Sequence, residues 1–307
     1  MRGFPSANDY IAAVQSPEVV FRRPGLQTAE FVLDSTWGIP VPASGNAAVV
    51  FKATVSGSQQ ALRFFIREDV SSKRRYSGLS EHVGRQDLGD CVAEANWIDD
   101  AIAVNNATWP LIQMSWVEGT ALDRYVQHAL DNGDAAGLRP FAEQWRTLVA
   151  RLQDAQFAHG DLQHANVLVA HDGAVRLVDL DGSWIGSFDG EPPPTESGHP
   201  NYQLPQRLWG RWMDTFPGLV IYGALLGLSK YPRDLAAFNN GDNLVFCRDD
   251  FRPPFDTALW RVLDGLSDPE LRAVTGRIKD CCAGGREQQG SLEQKLAAPP
   301  NERSCRP

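Results

Sequence analysis

The chain has 307 residues, 43% of them hydrophobic, with 38 acidic against 29 basic side chains and a formal net charge of -9 at pH 7. That is enough apolar material for a large core, and it excludes the global basic footprint of a nucleic-acid-binding protein. The five cysteines show no C-x-x-C pair and no zinc spacing, which fits reduced thiols better than a disulfide framework, and no apolar run is long enough to span a bilayer.

In chain order, residues 1–29 are set aside as an N-terminal extension. Met1-Arg2-Gly3-Phe4-Pro5 has no apolar run of the kind a signal peptide needs. Segments 47–55 and 61–66 read as two strands of a hairpin closed by Ser56-Gly57-Ser58. A polar helix is expected over 71–83, with Lys73, Arg74 and Arg75 on a solvated face. Two further strands are expected over 91–98 and 111–117, split by the turn-prone pair Asn105-Asn106. Beyond Glu118-Gly119 the pattern becomes helical: Phe141, Trp145, Leu148, Val149 and Leu152 recur at steps of three and four. A short strand is expected over 175–178, loops over 186–205, and a buried helix over the apolar run 216–228. Residues 284–307 are polar and without periodicity, and read as a disordered tail. The order is thus a small antiparallel sheet with one helix over 30–117, then a larger helical region over 118–283. Two such parts joined by one strand place a ligand cleft at the joint.

The chemistry concentrates in H-G-D-L-Q-H-A-N at 159–166 and V-D-L-D-G at 178–182. Phosphoryl transfer needs one carboxylate to orient a hydroxyl and accept its proton, and oxygen ligands to hold Mg²⁺ on a triphosphate. Asp161, Asn166 and Asp179 are the residue types for that work.

These motifs resemble those of the protein kinase superfamily, whose catalytic loop reads H-R-D-L-x-x-x-N and whose metal motif is D-F-G. The resemblance covers roughly residues 30–280. It implies an α+β, two-lobed protein-kinase-like fold with a small β-rich N-lobe and a larger helical C-lobe. By the same resemblance Asp161 is the base, and Asn166 and Asp179 are the metal ligands. Segment 111–122 looks like the hinge, with Met114 the gatekeeper and the backbones of Ser115 and Val117 facing an adenine edge. Aligned on Val50, the phosphate-covering loop keeps one of its three glycines, Gly45. Arg63 stands in place of the strand lysine, with Lys52 as its substitute, and Glu81 best matches the helix glutamate that pairs with it. Gln163 replaces the lysine that contacts the γ-phosphate, which loses a positive charge where negative charge is transferred. Segment 198–206, G-H-P-N-Y-Q-L-P-Q, resembles the close of an activation loop. Segment 214–222 resembles the buried helix whose aspartate braces the catalytic loop. H-G-D-L-Q-H with D-L-D-G and G-H-P-N-Y-Q is similar to a bacterial kinase-like group often found with von Willebrand-type and phosphatase partners.

The expected function is an ATP- and Mg²⁺-dependent Ser/Thr protein kinase-like phosphotransferase, cytoplasmic, with a protein substrate or signalling partner and with neither nucleic acid nor membrane. Gly160 in place of the arginine removes the counter-charge for a phosphorylated loop, and Asp181 in the third D-F-G position suggests a fixed loop. These departures keep a pseudokinase, acting as a nucleotide-binding or scaffold protein, in view. H-G-D also fits a small-molecule phosphotransferase. His164 and His199 are read as packing or hydrogen-bonding to loop backbone.

Overall fold

The computed structural model describes residues 3–44, 48–68, 71–195, 198–204, 206, 208–284 and 288–298. It is a mixed α+β protein whose strand pairings, among the described residues, are antiparallel. Two compact units divide the chain, Met1–Val117 and Glu118–Pro307.

The first unit contains helices α1 (Ala7–Ala13), α2 (Pro17–Val20) and α3 (Pro24–Gln27). Its strands are β1 (Glu30–Phe31), β2 (Pro42–Ser44), β3 (Ala48–Val55), β4 (Ser58–Phe65), β5 (Ala95–Val104) and β6 (Ala107–Ser115), with α4 (Ser72–Arg85) between β4 and β5. The strands form one sheet in the order β1-β3-β4-β6-β5, with β2 also on β3. Alternation decides the faces. Val49, Phe51, Ala53 and Val55 of β3 and Leu62 and Phe64 of β4 enter one core cluster, while Val50, Lys52 and Thr54 turn to the other face and are half-buried. The first 29 residues, set aside above as an extension, are built into that core. Tyr10, Val14, Phe21 and Leu26 belong to the cluster, and the Tyr10 hydroxyl donates to the Phe65 carbonyl at 3.0 Å.

Strand β5 starts and ends later than the expected 91–98, because Cys91 and Val92 lie outside it and the arm continues through Asp99 and Asp100. A bulge between Ile98 and Ile102 takes up the two aspartates, with Asp100 at φ 47°. Asp99 there accepts from Lys73 at 2.6 Å and Asp100 from Thr108 at 2.8 Å. Asn105 and Asn106, at φ 53° and 59°, close the hairpin onto β6, the left-handed pair that a two-residue turn requires. The basic trio is not wholly solvated: Lys73 is paired with Asp99, and Arg75 is buried.

The second unit holds β7 (Thr120–Ala121), α5 (Leu122–Asp131), α6 (Leu138–Asp154), β8 (Phe157–Ala158), β9 (Val167–Val169), β10 (Val175–Leu177) and β11 (Trp184–Ile185). It continues with α7 (Thr215–Lys230), α8 (Pro232–Leu235), α9 (Ala258–Gly265), α10 (Pro269–Cys282) and α11 (Leu292–Ala297). The stripe on α6 is buried, and the Trp145 indole donates to the Gly218 carbonyl at 3.1 Å. Helix α7 is apolar all round and buried from Thr215 to Leu228, as a central helix must be. None of the helices among the described residues is long and apolar enough to cross a membrane.

Segment 284–307, expected to lack structure, carries α11. Ser291 and Gln294 cap its start reciprocally, Leu292 is fully buried, and Glu293 forms a bidentate pair with Arg146 of α6 at 2.5 and 2.6 Å. A polar helix end with one buried leucine gives too weak a period to read from sequence.

Candidate active site

The loop after β8 is held by backbone as much as by side chains. His159 and Gly160 both donate their main-chain N–H to the Asp214 carboxylate at the start of α7. The His159 ring accepts from the Asp161 N–H at Nδ1 (3.3 Å) and lies 2.8 Å from the Val178 carbonyl at Nε2. Nδ1 is therefore the acceptor and Nε2 carries the proton that Val178 receives. Gly160 sits at φ 79°, and a Cβ there would stand 2.0 Å from the Gly182 carbonyl oxygen. No other residue fits that position, so backbone presses directly on backbone between the two motifs.

Asp161 is buried, with 7% of its surface exposed. Its Oδ2 accepts from the side-chain amides of Gln163 (2.9 Å) and Asn166 (3.0 Å), and its Oδ1 accepts from the main-chain N–H of His199 (2.7 Å). Asn166 Nδ2 also donates to the Asp161 carbonyl at 2.9 Å. Both of those bonds leave from its nitrogen, which turns the amide oxygen, the atom a hard cation would take, to a different side. Asp179 is exposed and precedes a 3₁₀ turn, Leu180–Gly182, at φ 64° and ψ 76°. A non-glycine residue in that region costs about 1–3 kcal/mol and persists where the surroundings enforce it, most often at functional sites. Its neighbour Val178 is the residue bonded to His159, so the turn that carries Asp179 is tied to the Asp161 loop.

The loop at 198–203 closes over this constellation. Gly198 is at φ 75°, and a Cβ there would lie 3.1 Å from Asp161 Oδ1. Gln203 donates to the Gly160 carbonyl at 3.4 Å. Tyr202 is fully buried, and its hydroxyl lies 2.8 Å from His164 Nδ1 while accepting the Leu244 N–H at 2.9 Å. Burial lowers the basicity of the His164 imidazole and raises the Tyr202 phenol, so both groups favour their neutral forms. His199 Nδ1 accepts from the Asn201 N–H at 3.2 Å. Both histidines thus bond within the loops, one to a side chain and one to backbone.

The remaining site residues of the sequence reading lie in the first unit, except Gly45, which falls outside the described residues. Val50 faces Arg63 across β3 and β4, and Arg63 faces Ile112 on β6, two residues before Met114. Residues two apart share a face, so Val50, Arg63 and Met114 are on one side of the sheet. The Arg63 guanidinium donates to the Tyr76 hydroxyl of α4 at 3.2 Å. Glu81, expected to pair with it, instead stands exposed beside Arg85 at 3.8 Å. The buried residues of α4 are Ser72, Arg75, Tyr76, Leu79, His82 and Val83, and Glu81 is not among them. Lys52 lies over the Trp116 ring at 4.5 Å. Ser115 donates its N–H to Glu94 and Trp116 its N–H to Gln59, both at 3.1 Å, and Val117 follows the end of the strand.

Oxygen donors at Asn166 and Asp179 are of the kind Mg²⁺ takes when phosphates complete its shell. No group of three or more His, Cys, Asp and Glu side chains among the described residues is arranged to hold a metal by itself. Three contributors escaped the sequence reading: Tyr76, the His199 main chain and Leu244. A helical step from Tyr76 to Leu79 and Val83 signals the first. Backbone donors leave no signature in a sequence. No protein-family model matches the chain, and a search of the curated proteins finds none that matches it.

Proposed function

We propose that this chain is an ATP- and Mg²⁺-dependent, protein kinase-like phosphotransferase acting on a serine or threonine hydroxyl, with Asp161, Asn166 and Asp179 carrying the chemistry. The observation that carries the reading is the bonding of Asp161 to Asn166 on a loop whose His159 ring grips the residue preceding Asp179. One buried carboxylate, one carboxamide and one strained aspartate are thereby tied into a single network. Supporting it are the Asp214 brace under the loop, the placement of α4 between β4 and β5, and the shared sheet face of Val50, Arg63 and Met114.

In this reading Asp161 orients the acceptor hydroxyl and takes its proton as the hydroxyl oxygen bonds to the γ-phosphorus and the bond to the departing ADP breaks. Asn166 and Asp179 would hold Mg²⁺, which neutralises charge on the phosphates. Arg63 keeps a positive charge for the phosphates and can grip them with two N–H groups.

A second reading is favoured by one contact. Gln163, where a lysine would offer charge, gives its amide to Asp161, so the loop carries no cation there and transfer is slow or lost. The protein is then a nucleotide-binding scaffold of the pseudokinase kind. Thermal unfolding of the full chain with ATP, with and without Mg²⁺, tests the shared part of both readings. Stabilisation that requires Mg²⁺ and is lost in Asp179→Asn is expected. No stabilisation by any nucleotide would sink both.

A further inference from the structure

The Asp161 carboxylate has two lone pairs on each oxygen. Those of Oδ2 are taken by Gln163 and Asn166, and one of Oδ1 by the His199 N–H. The remaining direction, on Oδ1, is the one along which a hydroxyl proton can arrive. That direction is set by a main-chain donor on a loop with no helix or strand of its own.

What holds the loop is a set of bonds centred on Tyr202. Its hydroxyl joins His164, three residues after Asp161, to the main chain at Leu244. Next door, Asn201 donates to the Asp242 carbonyl at 3.1 Å and accepts from the Arg248 N–H at 3.0 Å. Leu244 is followed by Val245 at φ 60°, a left-handed conformation that a β-branched residue adopts only where its surroundings enforce it. Segment 242–248 is thus bonded to the 198–203 loop at both Asn201 and Tyr202, and Tyr202 is the side chain that also reaches the His164 loop.

We propose that Tyr202 is a positioning residue for Asp161: by locking His164 to Leu244 it seats the His199 amide on Oδ1 and aims the one oxygen lone pair left for the substrate proton. The catalytic consequence rests on the reading of Asp161 as the base; the structural one does not.

Tyr202→Phe in the full chain removes a single oxygen and separates the two. Exchange of the His199 amide, followed by NMR, rises at least tenfold, while amides in the middle of α7 keep their rates. Phosphate transfer falls about tenfold in kcat with the KM for ATP unchanged. Wild-type exchange at His199 in a folded Tyr202→Phe protein overturns the proposal, whatever the activity. If that variant does not fold, Asn201→Ala, which releases the same loop from its outer side, must speed His199 exchange, and unchanged exchange overturns the proposal there too. Faster exchange in a chain whose wild type transfers no phosphate upholds the positioning and counts against the phosphotransferase reading alone.

Discussion

The sheet face bearing Val50, Arg63 and Met114 and the loop bearing Asp161 set their side chains in place by opposite means. On the sheet, register alone decides position: Val50 faces Arg63 and Arg63 faces Ile112 because the strands pair that way. Each side chain there can change without stranding a backbone group. Around Asp161 the holding bonds have a main-chain group on one side: the Gly160 N–H on the Asp214 carboxylate, the Val178 carbonyl on the His159 ring, the His199 N–H on Asp161, and the Gly160 carbonyl under the Gln203 amide. Glycines at positive φ let the strands of loop touch. The contrast teaches where precision is demanded. The proposed base and metal ligands belong to loops held by main-chain bonds, which suits the precision that catalytic geometry requires, whereas the phosphate contact proposed for Arg63 needs only reach.

If so, substitutions in the loop should cost far more than those on the sheet. Gly160→Ala, and equally Gly160→Arg, drives a Cβ into the Gly182 carbonyl from a left-handed backbone. We expect a loss of about 4 kcal/mol or more in urea unfolding, so the arginine of H-R-D cannot simply be restored. A stable Gly160→Arg protein would break the comparison. Asp214→Ala strands the buried N–H groups of His159 and Gly160 and should cost about 3 kcal/mol, again by urea unfolding.

On the sheet, Arg63→Met should change stability by less than about 1 kcal/mol, yet weaken ATP binding by about tenfold, or ~1.4 kcal/mol, in calorimetric titration. A large stability loss without a binding loss would reverse the roles given to the two regions.

A smaller effect sharpens the loop side. Burial holds the His164 imidazole below its ordinary 6.5; Asp123, Asp242 and Asp161 act to raise it and His199 to lower it, with the neutral Tyr202 hydroxyl against its ring. A lowered histidine value means the unfolded chain binds the proton first. The contribution is therefore complete above pH 6.5 and is lost as pH falls through the lowered value. The slope of stability against pH below 6.5 should flatten in His164→Gln. The smallest expected change is Glu293→Gln, which loses a partly exposed pair with Arg146 and should cost at most about 1 kcal/mol.

What could be read in the sequence follows the same division. The Asp161–Asn166 step lies within one loop, and the motif that singles out both residues by resemblance names groups that do bond. The α6 stripe and the apolar α7 were equally plain, since local periodicity is the signal of a packed helix. Partners from distant segments were not. Tyr76 rather than Glu81 meets Arg63, because helix phase, not charge, selects what faces the sheet. Asp99 and Asp100 looked like a strand end, yet a bulge and pairing to Lys73 and Thr108 keep them in β5. Helix α11 was hidden by its polarity, although Ser291 and Gln294 spell a capping box.

The most direct test incubates the full chain with Mg²⁺ and γ-labelled ATP, alone and with a generic protein substrate, beside Asp161→Asn. The account predicts label on a serine or threonine in the wild type, reduced about 100-fold or more without the carboxylate base. Equal labelling in Asp161→Asn would contradict it.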